Sequence, residues 1–133
     1  MDDEQVRQLA EYWFSGSEDA LDTARVLFDN RKYMYALFFC HLAIEKALKG
    51  LVVQTSREHA PYKHNLAELA KATNVAFDEA QSDLIDEVNT FNIQGRYEDF
   101  KNAFRQKATR EYADEYLRKV TTLCLWLTSH KNH

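Results

Sequence analysis

The chain is poor in the residues that make turns. Its 133 positions contain three glycines and one proline, Pro61. A β-sandwich or barrel needs a turn signal every eight to twelve residues, so this scarcity argues against an all-β fold. Cysteine is almost absent too. Cys40 and Cys124 both lie inside helical apolar patterns, which points to reduced core thiols in a cytoplasmic protein rather than to a disulfide framework. No four-ligand zinc spacing exists, and a bound metal or cofactor is not expected. No apolar run reaches the length of a membrane span, and the acidic start MDDEQ is unlike a secretory signal.

What remains is 45% apolar and 29% charged, the profile of a helical globule. The length fits a single domain spanning residues 1–133 that buries its own core. The net charge of −4 is unevenly spread. Residues 1–30 carry eight acids against Arg7 and Arg25, whereas residues 96–110 carry Arg96, Lys101, Arg105, Lys107 and Arg110 against Glu98 and Asp99. A basic segment on an acidic body is either a solvated loop or a meeting point for a phosphate or an acidic partner.

Apolar residues recur in steps of three and four. Val6, Ala10, Trp13, Ser17, Ala20, Ala24 and Leu27 define a helix over about 3–29. Tyr33, Leu37, Cys40, Ile44, Ala47 and Leu51 define a second over about 32–55. Phe38, Phe39, Leu42 and Val52 lie off that stripe, so the second helix is apolar on several sides and belongs in a bundle centre or a subunit interface. Pro61 disfavours helix at Ala60, and Asn65 is placed to cap a short helix over 66–73. A fourth helix covers 78–91. Residues 92–108 show weak periodicity and read as an ordered, mostly irregular loop. Thr109 starts the last helix, 109–130. The expected fold is all-α: an up-and-down antiparallel bundle of four to five helices.

The second helix also carries His41, Glu45, Lys46 and Lys49. At helical spacing His41 and Glu45 are neighbours, as are Glu45 and Lys49. They form either a surface ion pair beside a border histidine or a scaffold that positions a loop or a phosphate. Downstream, Arg96-Tyr97-Glu98-Asp99-Phe100 sets a guanidinium fork beside two aromatic rings, a combination suited to phosphate binding and base stacking. Asp99 could orient Arg96. The competing expectation is an internal salt bridge from Arg96 to Glu45.

Together these pieces carry a resemblance. Tyr35-Ala36, then Cys40-His41-Leu42-Ala43-Ile44-Glu45-Lys46-Ala47-Leu48-Lys49, then Pro61, then Lys63-His64-Asn65-Leu66, then Gly95-Arg96-Tyr97-Glu98-Asp99, with Trp13, Ser17, Asp22, Ala24 and Leu27 upstream, make the chain resemble a HEPN domain over essentially its whole length. The resemblance implies a helical homodimer, often encoded beside a minimal nucleotidyltransferase in toxin–antitoxin-like arrangements. It also implies, for many members, a metal-independent ribonuclease whose motif is Arg, four to six residues, then His.

Here the chain departs from the pattern. Positions 101–103, where the histidine would follow Arg96, are Lys, Asn and Ala. Arg57 and His64 satisfy the spacing but lie in a different region, where His64 is expected to cap or pack the third helix. The expectation is therefore a binding module without catalytic residues, contacting a nucleotide, an RNA phosphate or a partner nucleotidyltransferase. Its binding residues would be Arg96, Tyr97 and Asp99, supported by Glu45, Lys46, Lys49 and Lys101. The alternatives are an endoribonuclease toxin and a purely structural partner subunit.

Overall fold

The computed structural model describes residues 1–132, and among them there are six helices and no strands. Helix α1 (Asp3–Asp29) opens with a capping box: the Asp2 side chain accepts from Gln5 N–H, and the Gln5 side chain accepts from Asp2 N–H. Asn30–Lys32 reverse the chain into α2 (Tyr33–Ser56). Asn65 caps α3 (Leu66–Lys71) by accepting from Glu68 N–H, as its side-chain chemistry predicts. Asp78 and Gln81 form a second capping box at the start of α4 (Glu79–Arg96). Then come α5 (Glu98–Lys107) and α6 (Arg110–Thr128), the latter capped by Thr109. No helix among these residues is long and apolar enough to cross a membrane.

Cross-helix contacts fix the directions. Phe28 meets Tyr33, Ser17 donates to the Ala43 carbonyl and Arg57 pairs with Asp3, so α1 and α2 are antiparallel. Gly95 lies against Phe38 while Asn89 bonds Leu66, so α4 runs back along α2. Phe77 meets Trp126 and Glu87 meets Tyr112, so α6 reverses again. The frame is up-down-up-down, with α3 and α5 built into the two longer connections.

Helix α2 is the axle. Fifteen of its 24 residues are buried, including His41, Glu45, Lys49 and Gly50, so its multi-sided apolar pattern is answered by α1, α4 and α6 of the same chain. Cys40 and Cys124 are free and buried. Burial pushes both thiols up to about 12, leaving them protonated and unreactive near neutral pH.

The region 92–108 differs from its predicted irregular form. Helix α4 continues through Arg96, and residues 98–107 are helical. The periodic signal there is weak because α5 buries a single residue, Phe104. Gly95 is tolerated inside α4 because a β-carbon there would come within 3.3 Å of the Phe38 ring, so the missing side chain lets α2 and α4 approach.

Two helical glycines should respond oppositely to substitution. A β-carbon on Gly50 would stand 2.9 Å from Phe14 ring carbons in a filled core, so Gly50→Ala is expected to lower stability by about 1–3 kcal/mol. On Gly16 it would meet only the flexible stem of Lys46, at 3.1 Å. Gly16→Ala should then recover up to about 1 kcal/mol of helix propensity. Urea unfolding midpoints with unchanged slopes would check both signs.

Candidate functional site

Glu45 sits at the centre of a polar cluster inside the bundle. Its side chain is 5% exposed, and its two oxygens serve different elements. Oε2 receives Lys49 Nζ at 3.2 Å, one turn along α2. Oε1 accepts Nδ1–H of His64, from the α2–α3 connection, at 3.0 Å. The His64 carbonyl in turn accepts Nε2–H of His41 at 3.1 Å. The next residue, Asn65, caps α3, and Leu66 N–H donates to Asn89 Oδ1 on α4 at 2.9 Å. The polar residues of α2 therefore clasp the connection down on the helix from which it departs.

This geometry revises the sequence reading in two places. Glu45 and Lys49 are not a surface pair; both are buried, and Lys49 also lies 5.1 Å from the Trp13 ring centroid. His41 is not a border residue either, being fully buried. Both follow from α2 being covered by three helices, which one helix's periodicity cannot reveal.

Because a carbonyl accepts from Nε2, His41 is protonated there, and its Nδ1 has no hydrogen-bond partner, standing 3.8 Å from Glu45 Oε1. Burial is the main force lowering its pKa, to about 4; Glu45 opposes it, and the Arg96 charge adds a small push in the same direction as burial. Between pH 6.5 and 4 the unfolded chain takes up a proton at His41 that the folded chain refuses. Stability is then expected to fall as pH drops through that window and to level off below it, with His41 contributing about 3 kcal/mol across the range. Thermal melts from pH 7 to 4 would show a steeper decline in the parent than in His41→Gln, whose amide can keep the bond to the His64 carbonyl.

The second half of the site stands at the corner between α4 and α5. Arg96, Tyr97, Asp99 and Phe100 are all exposed. Arg96 makes no ion pair among the described residues, so the predicted Arg96–Glu45 bridge is not formed and Asp99 does not hold the guanidinium. Glu45 is already occupied by Lys49 and His64. Lys101 is half-buried, 3.8 Å from the exposed Glu98 carboxylate and 6.0 Å from the Tyr35 ring centroid. Arg105 lies 5.8 Å from the same ring. The Tyr35 phenol is held below its ordinary value, first by the Arg105 guanidinium beside it and then by the Lys101 charge.

Of the residues singled out in the sequence, the structure places Arg96, Tyr97, Asp99 and Lys101 at this exposed corner. Glu45 and Lys49 lie in the buried clasp. Lys46 lies over Gly16 on the α1 side of α2. The sequence reading missed Tyr35 as part of the corner. Its signals were the Tyr35-Ala36 pair of the family resemblance and a tyrosine off the apolar stripe in the first turn of α2.

A four-helix up-down-up-down frame, with two short helices in its connections and an internal histidine–carboxylate clasp, defines an all-α bundle module. The HEPN domain model matches residues 10–131, and the chain belongs to that family. Among solved structures it is similar to TT1696 from Thermus thermophilus, with 23% identity and a TM-score of 0.77 over 90% of this chain and 96% of that one, a likeness of fold. No curated protein matches it.

Proposed function

We propose that this protein is a HEPN-type binding module whose α4–α5 corner engages single-stranded RNA or nucleotide phosphates. One observation carries the reading. Three exposed aromatic side chains, Tyr35, Tyr97 and Phe100, share this corner with Arg96, Lys101 and Arg105. Stacking platforms beside cations are the common means of holding a single strand without sequence preference. The unpaired Arg96 fork suits a phosphate. A partner nucleotidyltransferase, implied by family resemblance alone, would compete for the same face.

Fluorescence anisotropy with labelled single-stranded RNA tests this. With Arg96, Lys101 and Arg105 each neutralising one phosphate, log K should fall against log salt with a slope of about −2. Arg96→Ala should weaken binding about ten-fold while leaving the melting temperature unchanged, because its side chain is exposed and unpaired. Absence of binding at low salt would refute the reading.

A catalytic alternative rests on His64. Its side chain is 50% exposed, and Glu45 holds Nδ1, leaving Nε2 without a hydrogen-bond partner among the described residues. A carboxylate-oriented imidazole is the usual form of a general base. RNA cleavage in the presence of a metal chelator, lost in His64→Ala, would establish that reading in place of simple binding.

A further inference from the structure

A separate cavity of about 540 Å³ opens where the end of α1, the Asn30–Lys32 turn, the start of α2 and the start of α6 converge. Phe28, Asp29, Arg31, Tyr33 and Arg110 line it. Its volume lies within the range of small-molecule sites, roughly 300–1,000 Å³.

Two features mark it as more than a surface dent. First, neither Arg31 nor Arg110 has an acidic partner or a side-chain hydrogen bond among the described residues, although Asp29 shares the same cavity. Arg110 instead lies over the Phe28 ring, 5.5 Å from its centroid, and Phe28 meets Tyr33 edge-on at 5.5 Å. Second, Arg31 stands at φ 62°, a left-handed conformation in which glycine is favoured at a helix stop. The chain keeps a long cation there at some backbone strain. Arg57, the other arginine in this conformation, is ion-paired with Asp3, whereas Arg31 has no such use.

We propose that this cavity is a second anion site, distinct from the α4–α5 corner, that takes a phosphomonoester carried on a flat ring. Two guanidinium forks from different elements receive the phosphate oxygens, as planar five-donor groups do. The Phe28–Tyr33 pair walls the ring. Asp29 opposes the phosphate and limits its affinity.

Amide chemical shifts at residues 28–33 and 110 provide the test, read during titration with inorganic phosphate, phenyl phosphate and adenosine 5′-monophosphate against chloride at equal ionic strength. Saturable shifts are expected, with both ring-bearing phosphates binding more tightly than inorganic phosphate. Which of the two binds better separates an amino-acid side-chain phosphate from a nucleotide, and either order supports the assignment. Arg110→Ala and Arg31→Gly should each weaken binding about ten-fold or more. Arg31→Gly should do so while raising the melting temperature, a combination that general loss of structure cannot produce. Asp29→Asn should tighten binding. Arg96→Ala, which reports on the α4–α5 corner, should leave it unchanged. Shifts no larger than those with chloride, equal affinity for inorganic and ring-bearing phosphate, or unaltered affinity in both arginine variants would overturn the proposal.

Discussion

Glu45→Ala should lower the stability of this protein by about 3–5 kcal/mol, a fall in melting temperature of roughly 10–15 °C. The size follows from what the substitution leaves behind. Lys49, with a side chain 6% exposed, loses its only carboxylate, and a buried charge stripped of its partner is far costlier than a missing surface pair. His64 is released at the same time, and with it the start of α3. Lys49→Met should be milder, because Glu45 keeps its bond from His64. The double variant Glu45→Leu, Lys49→Met removes both charges and should recover much of the loss. Chemical denaturation of the three variants would check the order. A Glu45→Ala loss below about 1 kcal/mol would mean that the cluster is solvated as a surface pair would be.

Phe104→Ala should have an effect of similar size, reached differently. Phe104 is the only buried residue of α5 and is fully enclosed, with its ring 5.4 Å from that of Phe91. Truncating such a ring typically costs about 3–5 kcal/mol. Helix α5 has ten residues and no side-chain cap, so little else holds it helical. The loss should therefore appear first as local opening of α5, with amide exchange accelerating over 98–107 before the rest of the bundle. The RNA binding proposed for the corner should weaken in parallel, since Lys101 and Arg105 ride on α5. A uniform rise in exchange across all helices would instead place Phe104 in the global core.

These two residues also show how much the sequence disclosed. Four long helices, the Asn65 and Thr109 caps and the buried cysteines were legible because each depends on neighbours in the chain: a three-four spacing, a side chain reaching three residues on, an apolar window. Helix α5 was not legible. One buried phenylalanine in ten residues produces no period, and its partner, Phe91, lies on another helix. The polar residues of α2 were legible as a group but misjudged in depth. A glutamate and a lysine four apart look alike on a wet helix and on one enclosed by three others.

The candidate site divides in the same way. Arg96, Tyr97, Phe100 and Lys101 could be chosen from the sequence, since cations and aromatic residues adjoining along the chain are a local feature. Tyr35 could not, because it joins them only where the first turn of α2 comes up against α5.

Periodicity and capping chemistry by themselves determined an all-helical chain and the approximate bounds of its main helices, because helix formation is governed within a few residues. Tertiary packing alone decided which charges are buried. It turned Glu45 inward to hold Lys49 and His64, left Arg96 outside without a counter-ion, and brought Arg31 and Arg110 to one cavity from opposite ends of the sequence. Burial and pairing depend on what lies across a helix rather than along it.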